Sequence, residues 1–129
     1  MIIGFTGTQH GMNGRQLEQL QWLLAHFSHV HEFHHGDCVG ADAEAHVLAK
    51  QQGIPTHVHP PRETEKRAGL LGNVNYAPLT YLLRNEQIVK SCEVLIATPR
   101  EVAEQLRSGT WATVRHARKL HKIVIILYP

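Results

Sequence analysis

The sequence predicts a Rossmann-like α/β fold, a three-layer α/β/α sandwich around a mainly parallel sheet of about five strands. Short apolar runs rich in β-branched residues alternate with segments whose apolar residues recur at helical spacing, which is the order that βαβ units produce. The apolar runs are nearly continuous, as expected for strands covered on both faces. The chain has 129 residues, of which 43% are hydrophobic, so it is long enough for its own core. We expect a single domain over 1–129.

In the first half of the chain, three strands are separated by two helices. The first strand is MIIGFTG, and the helix NGRQLEQLQWLLAHF follows it with Asn13 as N-cap. Its apolar stripe is formed by Leu17, Leu20, Leu24 and Phe27, widened by Trp22 and Leu23. The short strand VHEFHHGD leads into the Ala-rich helix GADAEAHVLAKQQG, which Gly53 ends. IPTHVHPP is the third strand.

The second half begins with residues 62–78, which lack a clean period and are rich in charged residues, Gly, Pro and Asn. We expect a mobile insertion or flap there. LTYLLRNEQIVKSC is predicted to be helical, with a core face of Leu79, Leu82, Leu83 and Ile88. EVLIATP is the fourth strand, REVAEQLR adds a helical turn, TWATVRHARKLHK is the last helix and IVIILYP the last strand.

Composition narrows the possible partners and compartments. The formal net charge of +2 is too weak a bias to indicate nucleic acid as a partner. No apolar run approaches the length of a bilayer span, and the N-terminal stretch lacks the features of a signal peptide. The two cysteines are far apart, which favours free thiols in a reducing compartment. We expect a cytoplasmic protein without a membrane partner.

Small and polar residues follow three of the predicted strands, in the stretches TGTQHG, HGDCVGAD and TPREVAEQLRSGT. In open α/β sheets the ligand binds at the carboxyl ends of the strands. Each of these loops leads to a helix N-terminus, where unpaired N–H groups and the helix dipole favour an anion. Three such loops at one edge of a sheet predict a phosphate-binding site.

The stretch SGTWATVRHARK carries this pattern most clearly. Gly109 permits close approach of a ligand and a positive φ, while Ser108 and Thr110 offer hydroxyl donors beside free backbone N–H groups. The alternative interpretation is an ordinary N-cap with nothing bound. Tyr76 and Tyr81 flank the predicted flap and could cover a nucleobase, although packing is the commoner role of tyrosine.

These stretches together resemble the SLOG superfamily, the Rossmann-like group that includes the Lonely Guy phosphoribohydrolases, the DprA/Smf DNA-processing proteins and small stand-alone nucleotide-binding domains. GFTGTQ is similar to the first-strand loop of that family, HGDCVGADAEAHVLA to its GGARGAD signature, LLRNEQIVKSCEVLIATP to its RN helix and strand, and SGTWATVRHARK to its GGT helix. The resemblance covers nearly the whole chain. It implies a sensor or carrier of a nucleotide or nucleotide-derived ligand, such as an ADP-ribose-like molecule or a nucleoside phosphate, and a homodimer or larger homo-oligomer.

The loops and the resemblance together give the candidate ligand-binding residues. They are Thr6, Gly7, Thr8 and Gln9 in the first loop, Gly36, Asp37 and Gly40 in the second, Arg84 and Asn85 on the third helix, and Ser108, Gly109 and Thr110 at the last helix. The guanidinium of an arginine matches the geometry of a phosphate, which favours a phosphate contact for the one on the third helix.

Catalysis stays open at this stage. The Lonely Guy enzymes carry a catalytic Glu in PGGxGTxxE, and Thr113 stands at that position here, which argues against hydrolysis by that mechanism. The alternative is a nucleotide-processing hydrolase, acting on an N-glycosidic or phosphoester bond, in which Asp42 or His10 supplies the acid or base. Asp42 also fits a helix-dipole charge or an acceptor for a ribose hydroxyl. Near-neutral charge disfavours a DNA-binding, DprA-like role.

The chain has 11 histidines, several of which crowd the second and third strands. These are His29, His31, His34, His35, His57 and His59. Zinc requires three or four converging ligands, and none of these spacings is a metal-binding signature. The sequence therefore predicts no metal site and no cofactor.

Overall fold

The computed structural model describes all residues from 1 to 129 and contains one parallel sheet with four helices. The elements in chain order are β1 (Ile2–Gly7), α1 (Gly14–His26), β2 (Glu32–His35), α2 (Ala41–Gln51), β3 (Thr56–Val58), β4 (Val74–Asn75), α3 (Tyr81–Ser91), β5 (Val94–Thr98), α4 (Gly109–Lys119) and β6 (Ile123–Ile126). The strand order across the sheet is β4-β3-β2-β1-β5-β6, and every pair is parallel. The predicted α/β fold class is confirmed, with six strands rather than about five.

Strand β5 shows how the sheet is covered on both faces. Side chains alternate in direction along a strand. Val94 and Ile96 belong to a core cluster that includes apolar residues of α1 and α2, whereas Leu95 and Ala97 belong to a second cluster with residues of α3 and α4. The sheet is therefore the middle layer of a three-layer sandwich, which is why its strands are almost continuously apolar.

The ends of the first two helices follow the predicted signals. Asn13 accepts a hydrogen bond from the Gln16 amide, and the Gln16 side chain accepts one from the Asn13 amide, so the two residues form a capping box. Gly53 follows the C-terminus of α2 and has a positive φ of 71°. A non-glycine residue is disfavoured in that left-handed conformation, which is why the helix ends there.

The predicted core face of α3 is wrong at two positions. The side chains of Leu82 and Leu83 are 69% and 49% exposed, and the residues that α3 buries are Arg84, Ile88 and Val89. Spacing alone favoured the two leucines because apolar residues normally define the buried stripe of a helix. In α3, Arg84 is buried at a position that the spacing of apolar residues assigns to the exposed face of the helix.

Two other predictions differ from the structure. Trp22 does not widen the core stripe of α1, because it is 59% exposed and stacks on His26 at a ring-centroid distance of 4.2 Å. The stretch REVAEQLR forms bends and turns rather than a helical turn, and α4 begins only at Gly109. No helix has both the length and the hydrophobicity needed to cross a membrane.

Residues 62–78, the predicted insertion, include a short strand that the sequence did not predict. Strand β4 extends the sheet beyond β3, with Val74 opposite His57 and Asn75 opposite Val58. A two-residue strand carries too little apolar periodicity to be recognised in a sequence. The segment thus contains both an irregular stretch and an edge strand that completes the sheet.

Candidate functional site

A cavity of about 390 Å³ opens at the carboxyl edge of the sheet. It lies beside the ends of β1 and β5, which are neighbours in the sheet although the chain passes through β2, β3 and β4 between them. The order of the strands reverses at this pair, and such a switch point leaves a crevice outside the sheet in which ligands of doubly wound folds bind. The size of the cavity falls in the range typical of small-molecule sites.

Most of the candidate residues line this one cavity. They are Thr6, Gly7, Thr8, Gln9, His10, Gly36, Asp42, Arg84, Asn85, Ser108, Gly109 and Thr110. Asp37 and Gly40 are not part of the wall. The topology therefore brings together loops that lie as far apart in the sequence as Thr6 and Thr110.

Gly40 lies behind the first loop, not at the cavity surface. Its φ is +87°, and a Cβ there would be 2.5 Å from the Gln9 carbonyl carbon and 2.8 Å from the Thr8 carbonyl oxygen. The same Thr8 oxygen accepts a hydrogen bond from the Ala41 amide at 3.0 Å. The N-terminus of α2 is thus partly satisfied by the protein's own backbone, and Gly40 permits that close packing.

Asp37 anchors the segment that contains residues 62–78. Its buried carboxylate accepts hydrogen bonds from the Leu70 amide at 2.8 Å and from Arg67 Nε at 3.2 Å. Its carbonyl oxygen accepts a third bond from the Ala68 amide at 2.7 Å. The side chain is therefore engaged with the segment and turned away from the cavity.

The N-terminus of α4 forms one wall with free hydrogen-bond donors. Ser108 is the N-cap, and its Oγ accepts from the Trp111 amide at 3.2 Å. The amides of Gly109 and Thr110 have no acceptor within the protein. Gly109 does not adopt the positive φ that its identity suggested, and a Cβ there would meet no atom within 4 Å. Gly109 therefore matters because it leaves open space in front of the helix N-terminus, and not because it relieves backbone strain.

Arg84 also lines the cavity and is unusual because it is a buried cation without a salt bridge. It is 5% exposed, and it donates to the carbonyl oxygens of Gly36 and His59 and to Asn85 Oδ1. Its guanidinium carbon lies 5.4 Å above the centre of the Tyr81 ring. A buried charge is costly unless an opposite charge compensates it. The nearby Asp42 carboxyl, whose pKa this cation lowers, offsets part of the charge, and a bound anion would offset more of it.

Glycines at the ends of β1 and β2 let the cavity approach the sheet closely. A Cβ on Gly7 would come within 2.5 Å of the Ala41 Cβ and would collide with Thr98 Oγ1. A Cβ on Gly36 would lie 2.6 Å from the Arg84 guanidinium carbon. The absence of both side chains is needed for the packing of α2 and for the position of the arginine.

Asp42 is the one carboxyl deep in the cavity wall. Its Oδ2 accepts from the amides of Gly36 and Cys38 at 3.1 and 3.2 Å. Burial raises the pKa of this carboxyl to about 6, against an opposing effect of the Arg84 cation. The two amide bonds give Asp42 a structural role in shaping the loop after β2. Its pKa also lies in the range of a general acid or base.

Sequence reasoning missed three exposed cations at the rim of the cavity, Lys66, Arg100 and Arg107. None of them forms a salt bridge, whereas Arg115 and Arg118 on α4 both pair with Glu104. Lys66 comes from the segment 62–78, and the two arginines come from the loop between β5 and α4. Their position in loops at the carboxyl edge was the available signal.

Cys38 also lines the cavity without having been singled out in the sequence. Burial and the neighbouring Asp42 raise the pKa of its thiol, so the thiol is protonated at neutral pH. A protonated thiol is a poor nucleophile. Tyr81 lies in the cavity wall, while Tyr76 stacks on His59 with a ring-centroid distance of 4.0 Å, away from the cavity.

The fold and the cavity define a Rossmann-like α/β protein with small-residue loops and a buried arginine at the switch point. Solved structures with this fold include the molybdenum cofactor binding protein from the phototrophic bacterium Rippkaea orientalis, at a TM-score of 0.73 and 24% identity, covering 99% of this chain and 76% of that one. The Moco carrier protein from Chlamydomonas reinhardtii is similar at a TM-score of 0.69 and 24% identity, covering 99% of this chain and 76% of that one.

DNA processing protein A (DprA) from Streptococcus pneumoniae is similar at a TM-score of 0.70 and 18% identity, and the match covers 96% of this chain and 49% of that one. No protein-family profile matches the chain, and no curated protein sequence matches it significantly. At these identities the comparisons establish the Rossmann-like fold.

Proposed function

We propose that this protein is a member of the SLOG superfamily that binds a nucleotide or nucleotide-derived ligand at the carboxyl edge of the sheet, as a sensor or carrier. The observation that carries the proposal is the pairing of the free amides of Gly109 and Thr110 with the unpaired, buried cation of Arg84 in one cavity. A phosphate is compact, multiply charged and able to accept from backbone amides and from a guanidinium at the same time. A fold shared with DprA and with the Moco carriers supports the superfamily assignment.

The rim cations support a ligand with more than one negative group. Lys66, Arg100 and Arg107 lie at the mouth of the cavity, while Arg84 lies deep in its wall. A ligand that spans both positions, as an ADP-ribose-like molecule does, compensates the deep and the rim charges together. The Tyr81 ring at the wall offers an apolar surface for a base or sugar.

We test the proposal by titrating the protein with ADP-ribose, ADP and AMP, and separately with the molybdenum cofactor, the ligand of the similar carrier proteins. Isothermal titration calorimetry gives the affinity, and thermal unfolding gives an independent measure. A ligand at 100 times its Kd should raise the free energy of unfolding by about 2.7 kcal/mol. A single-stranded DNA oligomer tests the disfavoured DprA-like role in the same format.

Two arginines provide a matched pair of variants. Arg107→Gln removes a cation at the rim and should weaken binding about tenfold, the loss expected for a charge-assisted hydrogen bond. Arg118→Gln removes an exposed cation of α4 that lies outside the cavity, and it should leave affinity unchanged. The proposal is wrong if no nucleotide-derived compound binds, or if both variants weaken binding equally.

A nucleotide-processing hydrolase is the second candidate, because Asp42 combines burial in the cavity wall with a pKa of about 6. His10, on the same wall, is the alternative acid. Chromatography of ADP-ribose after long incubation separates the two functions. Consumption of ADP-ribose that Asp42→Asn abolishes and that Arg118→Gln, outside the cavity, leaves unchanged would favour the hydrolase. Ligand that stays intact under saturating binding would favour the carrier.

We further propose that residues 1–129 act as one domain and that the segment 62–78 closes over the bound ligand. Lys66 from this segment already lies at the cavity, and Asp37 ties the segment to the loop after β2. Hydrogen exchange of the 62–78 amides should slow when ADP-ribose binds. Unchanged exchange in the saturated protein would contradict a closing role.

We propose that the protein is a homo-oligomer and that it works in a reducing compartment, the cytoplasm. One observation supports each proposal. Leu82 and Leu83 form an exposed apolar surface on α3, and a second copy of the chain would remove it from water. Cys38 and Cys92 are both free thiols, the state that a reducing compartment maintains.

A further inference from the structure

A second cluster of titratable side chains lies on the sheet away from the ligand cavity. Residues Glu32 and His34 of β2 share one face of the sheet because they are two positions apart. His34 pairs in register with His57 of β3. None of the three side chains lines the cavity at the carboxyl edge. The cluster is therefore separate from the proposed nucleotide site.

The three side chains place potential ligand atoms together. Glu32 Oε1 is 2.8 Å from His34 Nε2 and 3.5 Å from His57 Nε2. All three ligand atoms lie within 4.8 Å of one another. Ligands at zinc-to-nitrogen and zinc-to-oxygen distances of about 2.0–2.2 Å are separated by about 3.3 Å in a tetrahedral site. The observed separations bracket that value, so small side-chain rotations suffice to enclose an ion.

Both histidines are already oriented through their other ring nitrogen. His34 Nδ1 is 2.7 Å from His59 Nε2, and His59 Nδ1 is 2.7 Å from Gln87 Oε1. His57 Nδ1 is 3.0 Å from the Tyr76 hydroxyl. In metal sites, the ligating histidine uses its second nitrogen for such a hydrogen bond, which fixes the ring and its tautomer. Both Nε2 atoms are left to face the glutamate.

The hydrogen bonds that connect Gln87, His59 and His34 form a relay, and its direction determines which ring nitrogen of His34 carries the proton. The Gln87 oxygen accepts from His59 Nδ1–H, so His59 Nε2 accepts from His34 Nδ1–H. A neutral His34 then presents a lone pair to the Glu32 carboxylate at 2.8 Å. Two electron-rich atoms at that distance require a cation or a proton between them. Rotation of the Gln87 amide by 180° reverses the relay and supplies that proton from His34, which gives the metal-free arrangement.

Access to the cluster is open on one side. The side chain of His34 is 1% exposed, whereas those of His57 and Glu32 are 13% and 33% exposed. An ion can thus enter from solvent and keep a water molecule as its fourth ligand. Two imidazoles and one carboxylate with an open position are a donor set that suits Zn²⁺ and its neighbours among the divalent transition metals.

We propose that Glu32, His34 and His57 form a binding site for a divalent transition-metal ion of the Zn²⁺ class, with His59, Gln87 and Tyr76 holding the ligating histidines in place. The spacing of these residues in the sequence carries no metal signature. The site arises because two short strands pair in the register that sets His34 beside His57.

Calorimetric titration of chelator-treated, full-length protein with ZnCl₂ tests the proposal, with Co²⁺ absorbance as a second readout of tetrahedral coordination. We expect one ion per chain and a rise in the melting temperature on zinc addition. Glu32→Gln and His57→Gln should each weaken zinc binding at least tenfold and abolish the cobalt absorbance. His26→Gln, which changes an exposed histidine on α1, is the matched control and should bind as the original protein does.

Circular dichroism before titration establishes that each variant is folded. Glu32 and His57 are less buried than His34, so substituting them disturbs the core least. The proposal would be overturned if the protein did not bind one ion per chain. It would also be overturned if several ions bound and Glu32→Gln and His26→Gln affected their binding equally. Arg107→Gln changes only the proposed nucleotide site, so it should leave zinc binding unchanged. The zinc titration therefore tests the metal site independently of whether a nucleotide binds.

Discussion

Gly36 is the residue on which the position of Arg84 depends. The arginine donates to the Gly36 carbonyl oxygen just after the end of β2, and its guanidinium carbon lies only 2.6 Å from the position that a Cβ at residue 36 would take. The arginine then reaches the cavity from α3, a helix whose exposed leucines suggested a different buried face. A single missing methyl group thus determines where the buried positive charge of the site lies.

Gly36→Ala should therefore displace Arg84. We expect a loss of about 1–3 kcal/mol in the free energy of unfolding, the usual cost of an overpacked buried position, together with weaker ADP-ribose binding. Gly14→Ala is the control, because nothing lies within 4 Å of a Cβ at that position. Denaturant unfolding of both variants measures the difference, and equal stabilities would contradict this account.

Asp42 gives a pH dependence whose sign follows from its environment. Burial raises the pKa of its carboxyl from 3.8 to about 6, so the folded state binds more protons than the unfolded state between about pH 4 and pH 6. Stability contributed by this group is present below pH 4 and is lost as the pH rises through 6. The difference in unfolding free energy between the original protein and Asp42→Asn should therefore fall over this interval by up to about 3 kcal/mol.

Taking the difference between the two proteins removes the contribution of the buried histidines, whose titration has the opposite sign. Urea unfolding at pH 4, 5, 6 and 7 supplies the measurement. A difference that stays constant across this range would show that the Asp42 carboxyl titrates normally.

At the scale of secondary-structure elements, the N-terminus of helix α4 supplies unused hydrogen-bond donors to the cavity. Part of this capacity is already used at two other helix N-termini, because α1 begins with a capping box and the first amide of α2 donates to the Thr8 carbonyl oxygen. In α4 the N-cap Ser108 satisfies one amide and leaves those of Gly109 and Thr110 free. The helix dipole adds a partial positive charge at the same place.

Gly109→Asp separates stability from ligand binding at this helix end. An acidic side chain in the first turn stabilises a helix by about 0.3–1 kcal/mol, and there is space for it. The same carboxylate would repel a phosphate. We expect a melting temperature that is unchanged or higher and ADP-ribose affinity at least tenfold lower. Gly109→Ala controls for side-chain volume, and undiminished binding by the aspartate variant would exclude phosphate at this position.

At the scale of the whole molecule, the strand order determines where chemistry collects. The reversal between β1 and β5 opens the crevice for the cavity, whereas the parallel pairing of β2 with β3 assembles the histidine cluster elsewhere on the same sheet. One sheet therefore supports two separate groups of polar residues. The apolar surface at Leu82 and Leu83 lies on α3 and lines neither wall of the cavity.

Leu83→Lys tests whether that surface joins two copies of the chain. A lysine there would place a charge in the proposed interface and should shift the protein toward the monomer in sedimentation velocity. Val47→Lys, at a residue that is also half exposed but lies on α2, is the control. A protein that is monomeric before any substitution would remove the basis for the proposed oligomer.

The alternation of apolar runs and amphipathic segments by itself determined the fold class and the position of nearly every element, because burial on both faces leaves a local signature in each strand. Small-residue loops such as the one before α4 were recognisable for the same reason, since hydrogen-bonding capacity at a helix end is a local property. Only the tertiary structure decided that Arg84 is buried, that Asp37 turns away from the cavity and that His34 meets His57. These features depend on strand register and on contacts between distant segments, and no stretch of sequence contains both partners of such a contact.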